Sequence, residues 1–345
     1  MSAETIDAGA PRRTSFEGGF SARYADPAFK WALTALAALV LALIAFFFVF
    51  LISKAHVALA HQGLLSFAFS DDWNPPKEAF GAFSLLFGTV VTAIIALVIA
   101  LPVAVSSAIF INEFATARLK GPLTLLVDLL ASVPSVVYAI WGFLVLQPFL
   151  KPVQQWLADT LGFLPWVGGE VPGPGYFLSG LVLAIMITPI ISAISREVIA
   201  TVPVEHKEAA KALGATKWEV LRLAVLPYSR AGITGAALLG LGRALGETIA
   251  VAYLLGGYHG IGDQIFGLGD SLAGAIANEF GEAASDPIYS GALIGCGLLL
   301  FVVTLIVNAL ARGLVARAES KQFRAAAQSH AAPAMADAVE DAVVA

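Results

Sequence analysis

VPVEHKEAAKALGATKWEVLRLAVLPYSR, residues 202–230 of the 345-residue chain, is a charged stretch set between two long apolar runs. It reads as two short helices. Pro203 suits a first helical turn, and Glu205–Leu213 is a run of strong helix formers. Gly214 stands where helices commonly end in a left-handed residue. Thr216 followed three residues later by Glu219 is a capping box for a second helix, Lys217–Val225. Pro227 then restarts the chain. A hairpin of this kind is either a plain surface connector or a docking surface, and both readings stay open at this point.

The flanking runs set the class. Hydrophobic residues make up 58% of the chain, charged residues only 13%, and mean hydropathy is +0.82. Soluble domains carry about 25% charged residues, so this is a membrane protein. The net charge of −5 says little. A hydrocarbon core of about 30 Å takes roughly 20 apolar residues per helix. Six segments meet this: Trp31–Ser53, Ala79–Asn112, Leu123–Leu150, Tyr176–Ser195, Ala231–Gly257 and Ile288–Ala311. The expected fold is an all-α polytopic membrane protein with six transmembrane helices.

Lys and Arg placement orients it. The N-terminal segment 1–30, the second–third and fourth–fifth loops, and the C-terminal tail hold sixteen of them, against Lys54, Lys77 and Lys151 on the other side. Both termini are therefore expected in the cytoplasm. The first apolar segment is too long, and its leader too extended, for a cleaved signal peptide. Lys54–Glu78 and Lys151–Gly175 read as irregular outward loops, the latter because of LPWVGGEVPGPG. Tyr258–Pro287 holds Asp263, Asp270, Glu279, Glu282 and Asp286 but no Lys or Arg, and SLAGAIANEFGEA within it reads as a short helix or re-entrant piece. Residues 316–345 are Ala-rich with scattered charge and read as a disordered cytoplasmic tail.

The fifth segment poses the chemical question. GLGRALGETIAVAYLLGG, residues 240–257, carries Arg243 and Glu247 in an apolar span. One mid-membrane charge costs at least about 2.5–3.5 kcal/mol. Four residues apart on a helix, the two would share a face and can pair. The pair is then either a buried ion pair or part of a face lining a pathway, where the guanidinium fork suits an oxyanion. Asp128 and Arg196 lie near span edges, where either can reach the interface without a function. Pro102, Pro134 and Pro189 are expected to kink their helices. Gly235, Gly240, Gly242 and Gly246 read as close-packing positions. No catalytic residue is visible and no metal site is expected, since the five histidines lack ligand spacing. Cys296 is the single cysteine, so no intramolecular disulfide forms.

Glu208-Ala209-Ala210, Gly214 and the Leu226-Pro227 pair resemble the EAA loop of ABC importer permeases, with Ala224 where that pattern usually has an Ile-like residue. Residues 129–150, 183–198, 239–251 and 275–283 resemble the PstC-type permeases of phosphate importers, through Tyr138–Gly142 and Asn278-Glu279-Phe280 in particular. The resemblance covers roughly residues 83–315. It implies a MetI-like core of five helices at 83–312, an extra N-terminal helix at 31–53, and an EAA coupling loop at 202–230. It also implies a bacterial inner-membrane location and a PstA-like second permease, two copies of a cytoplasmic ATPase and an extracytoplasmic phosphate-binding protein as partners. Nucleic acid is not among them. Arg243, Glu247 and Arg196 are the expected substrate-pathway residues. ATPase coupling falls to Glu208, Ala209, Ala210, Gly214, Leu226 and Pro227. No cofactor is expected in this chain: ATP would be bound by the partner, because no G-x-x-x-x-G-K-[ST] loop is present. The rival readings are a permease for sulfate or molybdate, a secondary transporter, and a purely structural membrane subunit.

Overall fold

The computed structural model describes residues 20–262 and 264–313. Asp263, the expected tail at 316–345 and most of the segment 1–30 lie outside these. The chain divides after Phe50 into two units. Helix α1 (Phe20–Gln62) supplies the described part of the N-terminal unit, where Leu33, Leu36, Leu39, Phe46 and Phe47 are exposed. A helix that is apolar all round suits a lipid surround.

The second unit is built on two long helices, α3 (Phe83–Ile109, extended by a π turn at Phe110–Phe114) and α7 (Tyr176–Ala200). Ala93, Ala96, Ala100, Ala104 and Ala108 repeat at helical spacing and are fully buried along α3. They let the α7 backbone approach, and Leu183, Ile187 and Ile191 fill the contact. Gly180 of α7 is needed for the same reason, since a Cβ there would meet the Ile95 side chain at 2.5 Å. Between them in sequence come α4 (Ala117–Ser132), α5 (Ser135–Trp141) and α6 (Gln147–Leu161), the last two joined by a π turn at Gly142–Leu146.

The expected third span is corrected here. It does not run unbroken from Leu123 to Leu150: α4 stops at Ser132 with Val133 extended, and a new helix starts after Pro134. Proline disfavours the helical conformation in the residue before it. Pro134 therefore terminates a helix, whereas Pro102 and Pro189 sit inside theirs. The crossing element is Ser135–Leu161. Helix thus replaces the start of the expected 151–175 loop, since its glycines come only from Gly162 onward. At Lys54–Glu78, likewise, α1 continues to Gln62, α2 (Leu64–Phe69) follows, and a short hairpin pairs β1 (Trp73–Asn74) with β2 (Ala79–Phe80).

The coupling stretch forms α8 (Val204–Ala212) and α9 (Lys217–Val220), the latter running through a π turn at Leu221–Val225 into α10 (Leu226–Leu245). Next come α11 (Ile249–Leu254), α12 (Leu272–Ala283) and α13 (Pro287–Gly313). Among the described residues, five helices are continuous, long and apolar enough to cross a membrane: those at 27–62, 83–114, 135–161, 176–200 and 287–313. The expected fifth span, 231–257, exists as α10 and α11, broken at Gly246–Thr248.

At the first turns of α3, the segment before α12 lies directly on the helix. Leu272 N–H donates to Thr89 Oγ1 at 2.9 Å, and a Cβ on Gly88 would collide with the Asp270 carbonyl. That carbonyl is backbone and cannot step aside cheaply. Gly88→Ala is expected to destabilise by about 1–3 kcal/mol as an overpacked core position does, read as a lower unfolding temperature of the detergent-purified protein. Gly121→Ala, where the added methyl meets nothing within 4 Å, is the control.

Candidate substrate pathway and coupling surface

Arg243 and Glu247 do not pair. No ion pair joins them among the described residues, because the helix on which they would be four apart ends at Leu245 with Gly246 as its cap. The break gives each charge its own compensation. Arg243 lies in the last turn of α10, where the free carbonyls favour a cation. Glu247 sits ahead of α11, and its Oε1 accepts from Ala250 N–H at 3.4 Å. Arg243 is exposed and Glu247 half-buried. The guanidinium has no hydrogen-bond or ion-pair partner among the described residues. Tyr138 belongs to the 138–142 stretch that the sequence singled out, and α11 packs on α5. The structure therefore leaves an open guanidinium and a carboxylate on either side of a helix break.

Arg196 is not part of this group. Its Nη2 lies 2.6 Å from Asp128 Oδ1, and its carbonyl accepts from Asn112 Nδ2 at 2.6 Å. It braces α7 against α4 and the end of α3 and gives Asp128 a partner. The glycines also sort differently from the expectation that all four pack closely. Gly240 meets Ile191, but a Cβ on Gly235 or Gly242 would meet nothing within 4 Å, and Gly246 caps a helix.

The turn of the hairpin at the other end forms as read, while its second helix runs on into α10 without the restart expected at Pro227. Gly214 has φ +83°, and Thr216 and Glu219 make the full capping box, with Thr216 N–H donating to Glu219 Oε2 at 2.7 Å. The Thr216 amide and hydroxyl hold the Glu219 carboxyl below its ordinary range. Ala209, Ala210, Leu213, Gly214 and Ala224 line an open groove of about 710 Å³, and Leu213 is 90% exposed. Glu208 is exposed, Leu226 is half-buried and Pro227 is exposed at the start of α10. Lys207 Nζ of α8 reaches Glu113 Oε1 at the end of α3 at 2.6 Å, with both side chains about four-fifths buried. Sequence reasoning missed this strut, since the partners are 94 residues apart. Glu113→Gln is expected to destabilise the hairpin's seating by about 1–3 kcal/mol, between the exposed and buried limits for ion pairs. Faster hydrogen exchange in residues 204–212 would show it.

Sequence reasoning also missed a cluster at the opposite end. His259 Nε2 lies 2.7 Å from Glu279 Oε1 and 3.4 Å from Asp270 Oδ2. Trp73 Nε1 donates to Glu279 Oε2 at 3.0 Å, and the Tyr289 hydroxyl donates to the same oxygen. Asp270, then Glu279, holds the His259 imidazole up at about 9 against its desolvation. Burial would raise the Glu279 carboxyl, but His259, Tyr289 and Trp73 together hold it below its ordinary value. The only advance signal was the acidic, Lys- and Arg-free composition of 258–287.

Residues 100–320 match the family described as binding-protein-dependent transport system inner membrane component. The phosphate transport system permease protein PstC of Xylella fastidiosa is 42% identical over 319 residues, covering 90% of this chain and 98% of that protein. The PstC of Mesorhizobium japonicum is 41% identical over 86% of this chain and 91% of its own length. That of Haemophilus influenzae is 40% identical over 86% and 95%. Among solved structures, a bacterial ABC transporter in complex with alginate pentasaccharide-bound periplasmic protein superposes with TM-score 0.57 at 17% identity, over 85% of this chain and 97% of that one. A second structure of a bacterial ABC transporter involved in alginate import gives TM-score 0.56 at 17% identity, over 86% and 99%. The fold is that of a MetI-like ABC importer permease, and the chain belongs to the binding-protein-dependent transport system inner membrane components, within the PstC permease family.

Proposed function

We propose that this chain forms one half of the translocation pathway of an ATP-driven importer for inorganic phosphate, in the bacterial inner membrane. It pairs with a PstA-like second permease, seats one of two ATPase copies on the α8–α9 hairpin, and receives phosphate from an extracytoplasmic binding protein. Both termini and the hairpin face the cytoplasm. The chain carries no nucleotide-phosphate loop, so hydrolysis belongs to the ATPase and no cofactor is held here.

The observation that carries this reading is 42% identity to a phosphate permease along nearly its whole length. The geometry at the helix break supports it. The open Arg243 offers a fork of donors to phosphate oxygens. Glu247 can accept a hydrogen bond from the protonated oxygen of hydrogen phosphate, which sulfate lacks. A carboxylate beside the guanidinium also keeps the anion from binding too tightly to leave. Arg243 and Glu247 are thus the pathway residues, and Ala209, Ala210 and Gly214 line the coupling groove with Glu208, Leu226 and Pro227 beside it.

Proteoliposomes containing the whole complex and its binding protein test the reading. ATP-dependent uptake of labelled phosphate, unaffected by excess sulfate or molybdate, is expected. Uptake of sulfate instead would make the chain a permease for another oxyanion. Uptake driven by an ion gradient without ATP would make it a secondary transporter.

A further inference from the structure

We propose that His259, Asp270 and Glu279 form a zinc site at the end of the bundle opposite the α8–α9 hairpin. The three donors come from separate places: the loop after α11, the residue before the Ser271 cap of α12, and α12 itself. One donor atom from each lies within 4.8 Å of the other two. Zinc bonds of about 2.0–2.2 Å to nitrogen and oxygen place neighbouring tetrahedral ligands roughly 3.4 Å apart. The distance from His259 Nε2 to Asp270 Oδ2 is 3.4 Å, already that spacing, and the 2.7 Å to Glu279 Oε1 reaches it with a small outward shift of Glu279, while the three donors stay within 4.8 Å of one another.

The oxygens facing the imidazole are the ones left over. Glu279 Oε2 is occupied by Trp73 and Tyr289, and Asp270 Oδ1 accepts from Ser271 N–H at 2.6 Å. Glu279 Oε1 is buried and, although close to Nε2, makes no hydrogen bond of proper geometry. Outer-shell donors that fix one carboxylate oxygen and aim the other inward are what metal ligands require.

Charge favours a divalent ion. Asp270 is 98% buried and Glu279 nearly 90%, and 258–287 contains no Lys or Arg. A divalent cation that takes the place of the imidazole proton meets two carboxylates and a neutral imidazole, so its charge is balanced. Binding displaces any proton on Nε2. The donor set of one imidazole and two carboxylates, with a fourth position for water, suits zinc, whereas calcium and magnesium take oxygen alone. The His259 side chain, 31% exposed, marks the route of entry. A bound ion would fasten α12 to the loop before it, and through Glu279 to β1 and α13.

The test uses the assembled complex, free of any histidine tag and stripped with chelator. Zinc chloride is added, the complex is desalted, and bound metal is counted by mass spectrometry. One zinc per chain is expected beyond the amount held by His259→Gln and by Glu279→Gln complexes. Each variant should bind at least about 100-fold more weakly, the upper range for losing even an outer-shell partner. Cobalt supplied in place of zinc should give the visible absorption of a tetrahedral site in the unaltered complex. If the unaltered complex holds no more zinc than the variants, or gives no such absorption, the cluster binds only a proton and the proposal falls. Should a variant fail to assemble, the cobalt spectrum of the unaltered complex alone decides.

Discussion

Arg243→Gln is expected to abolish phosphate uptake while the amount of assembled complex stays unchanged. The guanidinium is exposed and has no partner among the described residues, so its removal strands no buried group. Assembly therefore has no reason to suffer. What is lost is a charged fork at the helix break. Two charge-assisted hydrogen bonds of about 1.5–3 kcal/mol each amount to a fall of roughly 100-fold or more in uptake. Arg243→Lys keeps the charge without the planar fork and should lie between. Glu247→Gln keeps an acceptor for Ala250 N–H but loses the charge, so uptake should fall with little effect on assembly. Normal transport by Arg243→Gln, measured per assembled complex, would remove the residue from the pathway.

Gly214→Val is expected to leave an inserted complex that no longer couples ATP hydrolysis to uptake. Gly214 has φ +83°, and its N–H and that of Ala215 close the turn on Lys211 and Ala210 at 2.9 and 3.1 Å. A β-branched residue is an outlier in that conformation, costing at least about 1–2 kcal/mol. The turn sets Leu213 and Trp218 outward beside the groove, and distorting it moves the whole docking face. A loss of uptake of at least about tenfold follows. A Cβ at this position would meet nothing within 4 Å, so the defect is conformational and not a clash. Gly214→Asn is therefore the informative partner, because asparagine tolerates positive φ, and it should transport nearly normally. Equal failure of both variants would mean that the groove needs an absent side chain, not a turn.

Local signals were legible in the sequence, and contacts across the fold were not. The α8–α9 hairpin could be read because a capping box, a glycine C-cap and a proline are each decided within a few residues. The membrane class and the rough number of spans could be read because hydropathy sums over twenty residues. The break at Gly246–Thr248 could not: Gly246 is one of several glycines in an apolar run, and only the packing of α11 on α5 shows which one ends the helix. Pro134 gave a kink in the reading and a stop in the fold, because Val133 before it takes the extended conformation. The pairing of Arg196 with Asp128 was not foreseen, because the two are 68 residues apart. The His259 cluster was invisible for the same reason, with Trp73 reaching Glu279 across 206 residues.

The most direct measurement asks whether the break between α10 and α11 lines the route of the substrate. Gly246 is exposed, and a Cβ there would come no closer than 3.6 Å to any atom outside its neighbours, so Gly246→Cys fits without strain. Cys296, the chain's only native cysteine, is fully buried and leaves the new thiol as the reactive one. In the assembled transporter, a small water-soluble thiol reagent is expected to label position 246 at a rate that changes when ATP and loaded binding protein are supplied. The label should block phosphate uptake. A thiol that stays unlabelled under every condition, or a labelled complex that transports at the full rate, would contradict a pathway through this break.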